Sequence, residues 1–191
     1  MQFVLSRIFN KFAISAFAGA ATYLLNSKNM ILMYDLAIIG GGPAGYVAAE
    51  RAGAAGLSVV LFEKRELGGV CLNEGCVPTK TLLYSAKIYD HATGGKKYGI
   101  TAGEVAYEYK KIMDRKTKVV RKLVAGIKMK LEACNVTVVR GEAVIESGDA
   151  ARIVIGCEGQ HYEASKMLIC AGSEACVPPI PGVEGNEAVV T

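Results

Sequence analysis

The chain has 191 residues, 51% apolar and 21% charged, which is enough apolar material for a buried core and too little charge for a disordered chain. The net charge of +4 is concentrated at the front, where Arg7, Lys11 and Lys28 have no Asp or Glu to balance them before Asp35. The rest is nearly neutral, so charge makes no case for nucleic acid or a membrane surface as partner. No period of solenoid length recurs, and the length suits one domain of ordinary size.

Residues 1–33 read as a leader. Phe12 to Leu25 is mostly apolar but too short for a membrane span of about 20 residues. The basic start, apolar stretch and small residues at Ala18-Gly19-Ala20-Ala21 resemble a signal peptide, and the absence of acids fits a transit peptide. A start of translation at Met30 or Met33 is the favoured reading, because the folding pattern begins directly after Met33. The expected location is cytoplasmic, or the mitochondrial matrix if the leader is a transit peptide. A leader without a slot in the fold is expected to form a loose helix from about Phe3 to Leu25.

The body opens with a strand at Tyr34–Ile39, a glycine run at Gly40–Gly45, a small-residue helix to Ala55 and a second strand at Leu57–Phe62. This is a βαβ unit. Gly68 to Gly75 reads as a cysteine-bearing loop, and Pro78 to about His91 as a helix. Val105 to Cys134 reads as a long helix with Ile112, Val120, Leu123, Val124, Ile127 and Leu131 on its apolar side. Its many Lys and Arg suggest a solvated face, since no aromatic residues interleave with them. From Asn135 the period changes to two, and short strands are expected at 136–139, 143–145, 152–155, 161–163 and 167–169. The chain ends in an extended, proline-rich stretch. The expected fold is α/β: a Rossmann-like parallel sheet with helices over 34–191, plus a small antiparallel β patch.

Gly40, Gly42 and Gly45 form G-x-G-x-x-G between strand and helix. In that context each glycine has a reason: a tight turn, backbone approach of a pyrophosphate, and close helix–strand packing. Free N–H groups at the helix start favour phosphate. Glu63, at the end of the second strand, suits a ribose. The alternative is a structural turn with a surface Glu, and the fingerprint alone does not separate FAD from NAD.

The six cysteines lie in a chain too long and too well patterned to need a secreted disulfide framework, so one special pair in a reducing compartment is expected. Cys71 and Cys76 form C-x4-C at the mouth of a helix, where a thiolate is favoured at Cys76 and a disulfide can close. A zinc site is a poor alternative without a second ligand pair; a purely structural disulfide is a better one.

The run Gly68 to Lys80, with Cys71-Leu72-Asn73 through Thr79-Lys80, resembles the redox-active motif of the pyridine nucleotide–disulfide oxidoreductases, most of all the dihydrolipoamide dehydrogenases. Glutathione and mercuric reductases share the frame but typically carry Val where Leu72 stands. Cys170-Ala171-Gly172-Ser173 is similar to the family's A-T-G-S strand end, with Cys and Ala replacing Ala and Thr. The resemblance implies FAD as cofactor, with NAD as electron acceptor. It implies Cys76 as the thiol facing the flavin and Cys71 as the thiol meeting substrate, the two joined as a disulfide while the other four cysteines stay free. It implies cofactor contacts at Gly40, Gly42, Pro43, Ala44, Gly45, Glu63, Lys64, Gly69, Val70, Cys71, Lys80, Gly141, Ala171, Gly172 and Ser173. No metal is implied. The implied reaction oxidises dihydrolipoamide with NAD+ to lipoamide and NADH. The implied partners are lipoamide on a 2-oxoacid dehydrogenase or glycine cleavage complex and a second copy of the chain. Family members also carry a later FAD segment, an NAD domain and a dimerisation domain with a His–Glu base, which His91 and His161 do not match. The expectation is therefore a truncated chain with little turnover alone; a non-catalytic flavin-binding module or an inert truncation product are the alternatives.

Overall fold

A computed structural model describes residues 32–189, so the expectations for the leader before Leu32 lie outside the described residues. β1 (Leu32–Ile39) begins two residues before Tyr34, because Leu32 and Met33 already pair with Tyr162 and Glu163. α1 (Pro43–Ala54) starts on a proline, whose fixed φ suits a first helical turn. β2 (Val59–Glu63) runs parallel to β1 and is buried except at Glu63, as a strand covered on both faces requires.

The cysteine segment is not a loop throughout. Gly69–Asn73 forms the short helix α2, and α3 (Cys76–Thr93) follows the turn at Glu74-Gly75. α3 therefore starts ahead of Pro78, which still falls in the first turn, where a missing N–H breaks no bond. After a 3-10 turn at Gly95–Tyr98, residues 100–108 have no regular structure, and α4 (Tyr109–Ala133) begins later than the Val105 expected. That segment buries no apolar face to support a helix. Instead, Tyr107 meets Tyr89 of α3 edge-on at 5.8 Å. The cations of α4 are exposed except Lys116, which is half-buried.

Six strands form one sheet in the order β3-β2-β1-β6-β5-β4, with β3 (Thr137–Arg140), β4 (Val144–Gly148), β5 (Ile153–Cys157) and β6 (Gln160–Ile169). β3, β2, β1 and β6 are parallel; β6, β5 and β4 are antiparallel. The α/β expectation holds, but the antiparallel patch is not separate. His161–Glu163 and Met167–Ile169 belong to the single strand β6, which pairs antiparallel with β5 and parallel with β1. The polar Ser165 and Lys166 between them change which side chains face water and leave backbone pairing intact.

Each face of the sheet has its own core. On one, Ile38, Val59 and Leu61 pack with Ala49 of α1, Leu72 of α2 and Ile127 and Leu131 of α4. On the other, Ala37, Val60 and Phe62 pack with Ile155, Cys157, Tyr162 and Ala164. The antiparallel ribbon covers that second face by folding back over it. Phe62 of β2 meets Tyr162 of β6 edge-on at 5.1 Å across β1. A Cβ on Gly141, after β3, would lie 2.6 Å from Cys157 Sγ of β5. Among the described residues no helix is long and apolar enough to cross a membrane.

Phe62 is 1% exposed at the centre of the second core. Phe62→Ala is expected to cost about 3–5 kcal/mol of unfolding free energy, read by urea denaturation; a loss under about 1 kcal/mol would show that the ribbon does not close a core there.

Candidate functional site

Backbone bonds hold the carboxyl ends of the parallel strands level. Gly40 N–H donates to Phe62 O (2.8 Å), Cys170 N–H to Ile39 O (2.7 Å) and Gly141 N–H to Glu63 O (3.1 Å). From β1 the sheet grows to one side through β2 and to the other through β6, which opens a crevice beyond the strand ends. The crevice is a cavity of about 580 Å³. Of the residues expected from sequence, Gly40, Gly42, Pro43, Ala44, Glu63, Lys64, Gly69, Val70, Cys71, Gly141, Ala171, Gly172 and Ser173 line it. Gly45, Cys76 and Lys80 do not.

The glycine loop leaves no room for a side chain at Gly40 or Gly45. A Cβ on Gly45 would sit 1.8 Å from Gly40 O, and one on Gly40, at φ +102°, would sit 2.2 Å from Cys170 O. A Cβ on Gly69 would come 2.7 Å from the Cα of Gly42, so two backbones meet at the cavity wall. The first bond of α1 runs from Tyr46 N–H to Gly42 O, which leaves the N–H groups of Ala44 and Gly45 without intrahelical partners. Gly42 caps the helix with no side chain, and the first turn holds no acid. An anion facing this end would therefore meet free donors and the positive end of the helix dipole.

Glu63 does more than the sequence suggested. Its Oε2 accepts from Gly41 N–H (2.7 Å) and its Oε1 from Arg65 N–H (2.7 Å), so the carboxylate braces the glycine loop. Each oxygen keeps a second lone pair for a hydroxyl. Around the mouth, Lys64 bridges Glu142 (3.5 Å) and Glu174 (3.8 Å), Arg65 pairs with Glu74, and Arg140 pairs with Glu66 at 2.5 Å. These pairs are exposed and individually weak, yet they join the four segments that frame the opening.

All six cysteines are free in this structure, Cys71 partly buried and Cys76 exposed. Cys71 projects from α2, and Cys76 opens α3. Hydrogen bonding with Cys76, then burial, then the charge of Cys76, push the Cys71 thiol above its ordinary pKa. Lys80 acts on Cys71 through its positive charge, in the opposite direction. Cys71 also lines a second cavity, of about 260 Å³ and mainly apolar, walled by Pro43, Tyr46, Leu72, Val77, Leu123 and Ile127. The chain thus places Cys71, with Pro43, in a wall shared by two cavities. Sequence reasoning assigned no role there to Tyr46, and it took Leu123 and Ile127 only as the apolar side of α4. It also assigned no role to Gly41 or Asn73, although both lie inside the motifs it read, and it named Cys170 only as part of the strand-end motif.

Residues 34–191 match the family described as pyridine nucleotide-disulphide oxidoreductase. The dihydrolipoyl dehydrogenase of Acholeplasma laidlawii is 43% identical over 152 residues, which are 79% of this chain and 44% of that protein. Its counterpart in Mycoplasma genitalium is 41% identical over 152 residues, 79% of this chain and 32% of the relative. Among solved structures, the Cu(II) complex of the HOCl-induced flavoprotein disulfide reductase RclA from Escherichia coli aligns with a TM-score of 0.61 and 29% identity. That alignment covers 80% of this chain and 32% of RclA. The chain spans less than half the length of these relatives.

Because Cys76 is the main cause of the upward shift at Cys71, Cys76→Ala is expected to move the midpoint of Cys71 alkylation to lower pH. Iodoacetamide labelling across a pH series, read by peptide mass spectrometry, checks this. An unmoved or raised midpoint would show that the two thiols do not interact.

Proposed function

The chain belongs to the pyridine nucleotide-disulphide oxidoreductase family, and from that premise we propose that it carries the dithiol–disulfide half of a dihydrolipoamide dehydrogenase reaction. The observation that carries this reading is the position of Cys71, between a nucleotide-sized crevice and a separate apolar cavity. A thiol so placed can exchange with a substrate in the apolar cavity while its partner Cys76 takes the electrons on towards a cofactor in the crevice.

FAD is the cofactor that the family and the flavoprotein neighbour imply. The crevice fits it: the bare backbones of Gly42 and Gly69 line its wall, which suits a pyrophosphate, and a Cβ on Gly69 would come 2.7 Å from the Cα of Gly42. The N–H groups of Ala44 and Gly45 would hold the phosphates, and Glu63 the adenosine ribose. Gly141 and Ala171 to Ser173 would line the far wall, with Lys64 at its mouth. When bound, FAD supplies a two-electron acceptor that passes electrons on to NAD+.

The chain's own chemistry is thiol exchange. In the oxidised pair, a dihydrolipoamide thiolate attacks Cys71 Sγ and displaces Cys76 as a thiolate. The second substrate sulfur then attacks the first, releasing cyclic lipoamide and leaving the Cys71 thiolate. Cys71 takes up the proton that the second substrate thiol gives off. One dithiol and one disulfide thus become one disulfide and one dithiol. The apolar wall of Tyr46, Val77, Leu123 and Ile127 suits the aliphatic part of such a substrate. Lipoamide carried on a 2-oxoacid dehydrogenase or glycine cleavage complex is the proposed source, with a second copy of the chain as the proposed partner.

The test needs no NAD. Anaerobic addition of dihydrolipoamide to the FAD-loaded chain is expected to bleach the flavin absorbance, and Cys71→Ser or Cys76→Ser to stop it. Bleaching that survives in both variants would sink the relay. Gly45→Ala, which forces α1 away from β1, is expected to weaken FAD binding by about tenfold or more, read by ultrafiltration of bound flavin.

A further inference from the structure

The strongest unused feature of the site is the side chain of Asn73. Its Nδ2 donates to Leu67 O (3.1 Å) and to Gly69 O (3.0 Å), so both amide protons are engaged within the segment that carries Cys71. α2 is only five residues long, and a helix that short has no stability of its own. It is entered through Gly68 and Gly69, both at positive φ, a turn that many alternative conformations could replace. Leu72 anchors α2 in the first core, but one apolar contact does not fix rotation about the helix axis.

The turn that Asn73 grips is itself fixed. Gly68 N–H donates to Gly41 O at 2.8 Å, and Gly41 N–H donates to Glu63 Oε2 at 2.7 Å. A continuous chain of bonds therefore runs from the end of β2, through the glycine loop, to the helix bearing Cys71. On the far side, Glu74 N–H (2.9 Å) and Gly75 N–H (2.7 Å) both return to Val70 O, which brings Cys76 back against Cys71. Asn73 ends α2 directly before that turn, and its side chain reaches back to the Leu67–Gly69 turn.

We propose that Asn73 is a positioning residue for the Cys71–Cys76 pair: its amide locks α2 to the Leu67–Gly69 turn and, by holding the two sulfurs together, favours the disulfide form. The inference rests on the reading of Cys71 and Cys76 as the redox pair. Holding the reacting groups close raises their effective concentration for each other relative to an external thiol. The reaction that reports it is balanced: protein dithiol plus glutathione disulfide gives protein disulfide plus two glutathione thiols, with two electrons and two protons leaving the pair.

The experiment equilibrates the full chain in glutathione buffers of varied ratio, quenches with an alkylating reagent and counts labels at Cys71 and Cys76 by mass. Asn73→Ala is expected to lower the equilibrium constant for the disulfide by about tenfold. Asn73→Asp, which loses both donors and sets a negative charge against two carbonyls, is expected to lower it at least as far. If Asn73→Ala fails to fold, Asn73→Ser keeps one shorter donor and is expected to give a smaller shift of the same sign. Ile155→Val, in the core of the opposite face, lowers the melting temperature and is expected to leave the equilibrium unchanged. An equilibrium within twofold of wild type in the folded Asn73 variants overturns the proposal, as does an equal shift in Ile155→Val. A wild-type chain that forms no Cys71–Cys76 disulfide at all removes the redox pair itself, a failure distinct from that of Asn73.

Discussion

The close approach of α1 to the end of β1 governs the arrangement of the site. At Gly45 the helix lies so near the Gly40 carbonyl that a single methyl group would sit 1.8 Å from it. That contact brings the helix start to the ends of β1, β2 and β6 and sets Gly42, Pro43 and Ala44 in the crevice wall. It also lets Ala49 reach the first core between Ile38 and Val59. Pro43, one residue into the helix, is thereby set in the wall between the crevice and the apolar cavity. A larger side chain at Gly45 would tilt the helix away, and these consequences would be lost together.

The second face of the sheet supports the same crevice from below. Gly141 reaches the cavity because β3 ends level with β2, and the folded-back ribbon brings Cys157 and Glu158 up against it. The ribbon is tied to the parallel sheet by β6 alone, which serves two neighbours in opposite senses. Continuing past Ile169, the same strand delivers Cys170 to Ser173 to the crevice wall. One strand thus closes a core at its start and lines the site at its end.

The range of each interaction decides how much of this was legible in the sequence. Gly40, Gly42 and Gly45 were readable because a local turn and a local helix force their identity, and Cys71 and Cys76 because their spacing is itself the chemistry. The strand at 59–63 announced itself by an unbroken apolar run. The single strand β6 was not legible: Ser165 and Lys166 interrupt the apolar pattern, and nothing local shows that β1 will pair with residues on both sides of that interruption. The bond from Glu63 to Gly41 spans 22 residues and depends on β1 and β2 lying side by side. The apolar cavity is less legible still, because Tyr46, Leu123 and Ile127 come from two helices whose stripes look like ordinary core positions. α2 escaped because five residues are too few for a period to appear.

Six cysteines of one chain also show that residue type decides little without surroundings. Cys157 lies in the second core, where burial pushes its thiol up and keeps it a small apolar group. Cys134 closes α4, its N–H bonded to Lys130 O and Leu131 O. Cys170 contributes its carbonyl to the tight contact with Gly40, and Cys176 lies exposed in the extended segment after β6. Cys71 differs in having a second thiol beside it, which raises its pKa. Exchange needs a sulfur that can leave and a sulfur that can attack, held close together. The turn at Glu74-Gly75, whose two N–H groups return to Val70 O, keeps the two cysteines adjacent. On the proposed reading the functional unit is the pair with its turn, and the fold's contribution is to set Cys71 where two cavities share a wall.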